Sequence, residues 1–182
     1  VDFSLLGATI EFDVLQPDTD YAIAGMCVRA KRQRHAGDSY GWRFEQAGKC
    51  VVYSTDSEHR IDDLEERESF IRFFAEADAV IFDAMYSLAD AITVKADWGH
   101  SSNIVGVELC QAARAKRFVM FHHEPAYDDA RIQQVLEETR RFEVITRDDH
   151  ALEEVQGGFE VVVEDLLNLF LLALVGFKVN AA

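Results

Sequence analysis

The sequence predicts an α/β protein in which an antiparallel or mixed sheet continues into layered strands and helices. In the first 56 residues, short segments between turn residues alternate apolar and polar side chains, as half-buried strands do. After residue 56, strand-like apolar runs alternate with segments of helical periodicity, which is typical of crossover units. A length of 182 residues, 49% hydrophobic and 28% charged, suits one globular core.

The first part contains four predicted strands, in the order ATIEFDVL, YAIAGMCVRA, SYGWRFE and GKCVVYSTD. Each is short and bounded by turn residues, which favours an antiparallel or mixed arrangement. In the third strand, Tyr40, Trp42 and Phe44 share one face. A turn at Ala47 and Gly48 separates it from the fourth strand.

The second part contains three predicted helices and three predicted strands. In chain order they are the helix IDDLEERESFIRFFAEA, the strand DAVIFDA, the helix SSNIVGVELCQAARAK, the strand RFVMFHH, the helix DDARIQQVLEETRR and the strand FEVIT. The second and third helices each have an apolar face, formed by Val105, Leu109, Ala112 and Ala113 and by Ile132, Val135 and Leu136. We expect Asp128 and Asp129 to cap the third helix.

Charge and cysteine content limit the class of protein. With 33 acidic and 18 basic residues the net charge is -15, which repels phosphate backbones, so nucleic acid is not an expected partner. Cys27, Cys50 and Cys110 are odd in number and widely spaced, which favours a reduced, cytoplasmic protein. No signal peptide pattern is visible at the N-terminus.

The C-terminal part contains an unusually apolar run, LLNLFLLALVGF, at residues 166–177. It is shorter than the roughly 20 apolar residues that span a bilayer, so no membrane association is expected. A buried terminal helix or an oligomer contact explains it better. We therefore divide the chain into one domain at residues 1–156 and an apolar extension at residues 157–182.

Polar side chains follow three of the predicted strands. Asp56 ends CVVYSTD, Asp83 ends AVIFD, and His122 and His123 end FVMFHH. In α/β sheets the ligand crevice lies outside the carboxyl ends of the strands, so these positions indicate a site. The loop residue His35 extends the set, and His35, Asp56 and His122 together predict a metal site.

Imidazole and carboxylate ligands suit zinc, manganese or iron, and such a metal makes hydroxide available for hydrolysis near neutral pH. Each residue also has a structural interpretation. Asp56 alone is a common turn or N-cap residue, and His123 is compatible with a surface position. His59 and His150 are lone loop histidines, which we expect at the solvent surface.

Four motifs together resemble the metallo-β-lactamase-fold hydrolases. They are HAGDSYGWRFEQAGKCVVYSTDSEH, ADAVIFDAMYS, WGHSSNIVGVEL and FVMFHHEPAYDD. The resemblance covers roughly residues 8–145 and is strongest to the branch that contains phosphodiesterases and the tRNA 3′-processing endonuclease. It implies that this chain forms the C-terminal half of an αββα sandwich.

The resemblance implies a site for two divalent metals, zinc first, with manganese or iron as alternatives. His35 and His122 match metal-ligand histidines, and Asp56 matches the aspartate that bridges the two ions. His123 lies outside this ligand set, and we expect it to contact the metal ligands and not the metals themselves.

The resemblance also implies an acid–base pair. His100, in the motif GHSS, matches a histidine that contacts the substrate phosphate or protonates the leaving group. Asp83 matches the acidic residue that orients this histidine. A carboxylate in that position fixes the tautomer of an imidazole and raises its basicity.

The chain departs from the family at one point, because no HxHxDH motif is present and residues 1–34 contain no histidine. That motif supplies the remaining ligands in the N-terminal half of the fold. With His35, Asp56 and His122 only, we expect the metals to be incompletely bound by this chain alone.

The predicted function is metal-dependent hydrolysis of a small phosphodiester through metal-bound hydroxide. The basic residues at positions 29–34, beside His35, are placed to steer such a substrate. The alternative is a degenerate, non-catalytic half-fold that serves as a dimerisation or interaction module. In either case we expect a homo-oligomer or association with a missing N-terminal half.

Overall fold

The computed structural model describes residues 12–87, 99–149 and 159–163. These residues form one seven-stranded sheet, in which the strands lie side by side in the order of the sequence. The strands are β1 (Asp20–Ile23), β2 (Met26–Gln33), β3 (Ser39–Gln46), β4 (Lys49–Ser54), β5 (Ala79–Asp83), β6 (Arg117–Phe121) and β7 (Glu160–Val163). The helices are α1 (Leu64–Phe74), α2 (Asn103–Ala112) and α3 (Asp129–Asp149).

The sheet is antiparallel at one side and parallel at the other, which confirms the predicted mixed α/β class. Strands β1 to β4 pair antiparallel, and β4 to β7 pair parallel. The hairpin between β3 and β4 turns at Ala47 and Gly48, with φ of 51° and 75°. Positive φ at both turn residues is the two-residue turn that matches the strand twist.

The main core lies between the parallel strands and the helices. Val52, Phe82 and Met120 are fully buried and come from β4, β5 and β6. Phe70 and Phe74 of α1 belong to the same cluster. Burial of each such side chain contributes about 1.5–3 kcal/mol, so this core fixes the strands whose ends carry the site.

The predicted helix faces agree with the structure at most positions. Leu109 of α2 and Ala113, the residue directly after α2, are buried. Val135 and Leu136 of α3 are buried as well. Ala112, which was predicted on the same face as Leu109, is exposed.

Three predicted strands differ from the observed elements. Residues 12–15 of ATIEFDVL form no strand, and residues 8–11 lie outside the described residues. YAIAGMCVRA is a hairpin of β1 and β2, since Ala24 and Gly25 have φ of 50° and 79°. FEVIT is the last part of α3, where the side-chain amide of Gln111 donates to the Glu143 carbonyl and joins this part of α3 to α2.

The final strand, β7, lies within residues 157–182, which we predicted as an extension. It pairs parallel with β6 and forms the last strand of the described sheet. The apolar run at residues 166–177 and His150 lie outside the described residues, so their predicted roles stay predictions. None of the helices in the described ranges is long and apolar enough to span a membrane.

Candidate metal centre

Asp56, Asp83 and His122 meet because β4, β5 and β6 are parallel neighbours whose carboxyl ends share one edge. Asp56 and His122 both have left-handed backbones, with φ of 52° and 57°. Such conformations cost a non-glycine residue of order 1 kcal/mol and cluster at functional sites. The His122 Nε2 atom lies 3.5 Å from Asp56 Oδ1, so the two turns direct their side chains toward each other.

Two loops bring further imidazoles to this edge. His35 lies in the loop after β2, and its ring centroid is 5.0 Å from that of His100, in an edge-on arrangement. The His100 ring in turn stacks on that of His122, with centroids 4.9 Å apart and an interplanar angle of 18°. The structure therefore gathers three of the histidines predicted for the site.

Asp83 fixes the orientation of the His100 ring through a hydrogen bond. The carboxyl group is fully buried and its Oδ2 atom accepts a 2.7 Å hydrogen bond from His100 Nδ1. The backbone N–H groups of Ser57 and Met85 donate to the same carboxylate. The hydrogen bond that His100 donates to Asp83 raises the pKa of His100 above its ordinary value, while burial opposes the shift.

Nitrogen and oxygen atoms of these residues are close enough together to bind a metal ion. One ligand atom each from His35, Asp56 and His100 lie within 4.8 Å of one another, and so do atoms from Asp83, His100 and His122. The set of imidazoles and carboxylates suits zinc, manganese or iron. His100, which the sequence placed only in an acid–base role, belongs to both clusters.

The tautomer of His35 also fits metal binding. Its Nδ1 atom lies 2.9 Å from the Gly99 carbonyl oxygen, which can only accept, so Nδ1 carries the proton. The Nε2 atom of the neutral ring then has a free electron pair. Metal-binding histidines are commonly oriented by this type of bond from the other ring nitrogen.

His123 lies beside the predicted ligand His122 but makes different contacts. Its Nε2 atom is buried and has no hydrogen-bond partner among the described residues. Burial, followed by the nearby His122, lowers the pKa of His123. The lowered pKa favours a neutral His123 ring beside His122. Its role as a residue that contacts the metal ligands, and not the metals, stays a prediction.

His59 is not at the solvent surface, in contrast to the sequence-based expectation. Its side chain is packed among aromatic rings, stacked on Phe82 at 4.9 Å and edge-on to Phe70 at 4.3 Å, and only 6% of the residue is exposed. Burial lowers the pKa of His59 to about 3. No local sequence pattern predicts this environment, because the Phe70 and Phe82 rings come from α1 and β5.

The basic residues at positions 29–34 do not form an uncompensated positive surface. Each of the four is matched by an acidic side chain, in the pairs Arg29 with Asp20, Lys31 with Asp18, Arg32 with Asp38 and Arg34 with Glu66. The N–O distances are 2.6, 3.5, 3.2 and 3.0 Å, respectively. This pairing weakens the predicted electrostatic steering of a phosphorylated substrate.

Several solved structures share this fold. The metallo-β-lactamase fold protein YhfI from Bacillus subtilis is 18% identical, with a TM-score of 0.62 over 83% of this chain and 52% of that chain. A diphosphatase from the PhnP family is 18% identical, with a TM-score of 0.52 over 90% and 50%. Zn²⁺-bound PqqB from Methylobacterium extorquens is 16% identical, with a TM-score of 0.50 over 83% and 52%.

The chain therefore spans about half the length of these structures and has the fold of half a metallo-β-lactamase-type chain. No curated protein is significantly similar in sequence. A family model described as the Beta-lactamase superfamily domain matches residues 9–123. Because this match covers more than half of the 182 residues, the chain belongs to the β-lactamase superfamily.

Proposed function

We propose that this chain carries part of the metal site of a hydrolase that cleaves small phosphodiesters. The observation that supports this most is the meeting of three imidazoles at one sheet edge, with ring centroids 5.0 and 4.9 Å apart, beside two carboxylates. The chain resembles metal-dependent hydrolases of its superfamily. The choice of a phosphodiester as the substrate is the more specific part of the proposal.

The metal ligands in this proposal are His35, Asp56 and His122, and the ions are two divalent metals, with zinc preferred to manganese or iron. A divalent metal bound there supplies Lewis acidity and a nucleophile at neutral pH. The free Nε2 atom of His35 and the approach of His122 Nε2 to Asp56 Oδ1 support this choice.

His100 acts as the proton donor to the departing oxygen in this proposal. Its Nδ1–H is held by Asp83, so the proton that is transferred comes from Nε2. The raised pKa keeps the ring protonated to a higher pH than an isolated imidazole. Asp83 is a positioning residue in this proposal, because its fully buried carboxylate accepts a hydrogen bond from the His100 ring and fixes its orientation.

A small diester fits the charge of the molecule better than a long nucleic acid does. The net charge is -15, and the basic residues nearest His35 are paired with acidic side chains. The alternative function, a non-catalytic dimerisation or interaction module, stays a prediction. The clustered ligand atoms favour the hydrolase over that module.

The experiment compares zinc binding and hydrolysis of bis(p-nitrophenyl) phosphate in wild type, Asp56→Asn and Asp62→Asn. Asp62 is an exposed carboxylate and a matched control. The assay is run on the chain alone and with an N-terminal half that carries an HxHxDH motif. We expect Asp56→Asn to lower zinc affinity at least about ten-fold and to abolish turnover, because it removes an anionic ligand. The control is expected to match wild type.

Absence of bound zinc or manganese, together with absence of turnover under both conditions, would overturn the proposal. Equal zinc affinities of Asp56→Asn and Asp62→Asn would overturn the assignment of Asp56 as a ligand.

A further inference from the structure

We propose that Glu58 is a positioning residue for the metal centre and acts through the backbone of Gly99. The inference rests on the proposed function and adds a residue to it. Glu58 Oε2 accepts a hydrogen bond of 3.2 Å from the Gly99 N–H. The carbonyl oxygen of Gly99 accepts from His35 Nδ1 at 2.9 Å. Glu58 and His35 therefore hold the two peptide groups on either side of the Gly99 Cα.

The backbone of Glu58 is attached to the His35 segment as well. Its N–H donates to the Arg34 carbonyl oxygen at 2.8 Å, and the two residues form an isolated antiparallel bridge. Arg34 immediately precedes His35, and Asp56 lies two residues before Glu58. Glu58 thus connects the segments that carry His35 and Asp56 by its backbone, and the loop before His100 by its side chain.

Gly99 is the residue that this arrangement requires. Its φ is +86°, a conformation that favours glycine, and a Cβ atom there would lie 2.6 Å from His35 Nδ1. The absence of a side chain lets the backbone approach the imidazole closely. The left-handed backbone directs the carbonyl oxygen to His35 and the N–H group to Glu58 at the same time.

The consequence for the site is a fixed tautomer and a fixed spacing of two imidazoles. A carbonyl oxygen can only accept, so the neutral His35 ring keeps its proton on Nδ1 and presents Nε2. Gly99 directly precedes His100, whose ring lies 5.0 Å from the His35 ring. Loss of the Glu58 contact releases the Gly99 N–H and so loosens the backbone at Gly99, whose carbonyl oxygen orients His35 and which directly precedes His100. Glu58 itself contributes to neither cluster of possible ligands.

The experiment separates the position of the acceptor oxygen from its charge. Glu58→Asp keeps the charge and withdraws the oxygens by one methylene, whereas Glu58→Gln keeps an oxygen at the original reach. Glu65→Asp is the matched control, because Glu65 is exposed in the first turn of α1. The readouts are the ring N–H signal of His35 in ¹H–¹⁵N spectra of the metal-free chain, zinc affinity by chelator competition, and the thermal unfolding midpoint.

We expect Glu58→Asp to lose the protected His35 ring N–H signal and to bind zinc about 10–100-fold more weakly, as outer partners of metal ligands do when altered. Glu58→Gln is expected to retain the signal and most of the affinity, and Glu65→Asp is expected to match wild type. A protected ring N–H and unchanged zinc affinity in Glu58→Asp would overturn the inference. The His35 signal is recorded without metal. It therefore tests the role of Glu58 even if the chain shows no hydrolase activity.

Discussion

The buried environment of His59 makes the stability of this protein depend on pH. Its side chain is buried against Phe70, Phe74 and Phe82, and neither ring nitrogen has a hydrogen-bond partner among the described residues. Burial, and then the charge of Lys31, lowers the pKa of His59 from 6.5 to about 3. The ring is therefore neutral in the folded protein at all but strongly acidic pH.

We expect this histidine to make the protein less stable in acid. Its folded-state pKa lies below the 6.5 of the free side chain, so the unfolded chain binds more protons. Its contribution is fully present above about pH 6.5 and falls toward about pH 3, by at most about 1.4 kcal/mol per pH unit. Urea unfolding of wild type and His59→Phe at about pH 8 and about pH 5 measures the difference.

His59→Phe fills the aromatic environment without a group that titrates, so its advantage over wild type is expected to grow as the pH falls. Tyr40→Phe is the control, because it also introduces a phenylalanine but does so at an exposed position. A difference in unfolding free energy between wild type and His59→Phe that does not change with pH would contradict the prediction.

The contrast between His59 and the site residues shows what the sequence can predict at this scale. The convergence of Asp56, Asp83 and His122 was predictable, because each lies at or just after the end of an apolar strand and the carboxyl ends of parallel strands share one edge of the sheet. The environment of His59 was not, because the residues that bury it are distant in the chain. The contact of Glu58 with Gly99 likewise depends on how two loops meet, which no local pattern encodes.

At the scale of elements, the N-terminus of α3 affects the stability of the protein close to the loop that carries His122. The Asp128 carboxylate accepts a 2.8 Å hydrogen bond from the Arg131 N–H, which confirms the predicted N-cap. We expect Asp128→Ala to destabilise the protein by about 1 kcal/mol, because it leaves a first-turn N–H without its acceptor. Urea unfolding at neutral pH measures the loss.

Asp129→Ala is the matched control for that variant. Asp129 is the first residue of α3 and contributes through the helix dipole, so a smaller loss is expected, about 0.3–1 kcal/mol. Equal losses in the two variants would show that the capping hydrogen bond of Asp128 adds nothing to the general effect of negative charge.

The end of α3 shows where local pattern fails for an element. Val144, Ile145 and Thr146 are β-branched, and their strand propensity led to a predicted strand at FEVIT. In the structure, the Thr146 hydroxyl lies 3.0 Å from both the Phe142 carbonyl oxygen within the helix and the side-chain oxygen of Gln111 on α2, so its single proton is shared between these two acceptors. Packing between two helices therefore overrides the local preference, as tertiary contacts often do.

At the scale of the whole molecule, a large net negative charge is combined with acidic partners for the basic residues at positions 29–34. The net charge is -15, and Arg29, Lys31, Arg32 and Arg34 each lie within 3.5 Å of a carboxylate. The pairs of Arg29, Arg32 and Arg34 are exposed, and such pairs add little to stability, about 0–1 kcal/mol each. Their larger effect is to remove a continuous positive surface that a nucleic-acid backbone would need.

We therefore expect this chain to bind transfer RNA more weakly than about 100 µM at about 0.15 M salt, the weak end of nonspecific binding. The physical reason is repulsion of phosphates by the net negative charge. Filter binding with labelled transfer RNA measures it. A triple variant, Asp18→Asn, Asp20→Asn and Asp38→Asn, leaves Arg29, Lys31 and Arg32 without their paired carboxylates and is expected to bind more tightly, with a steeper dependence on salt. Wild-type binding tighter than about 100 µM at that salt would contradict the prediction, and binding tighter than about 1 µM would favour an RNA substrate over a small diester.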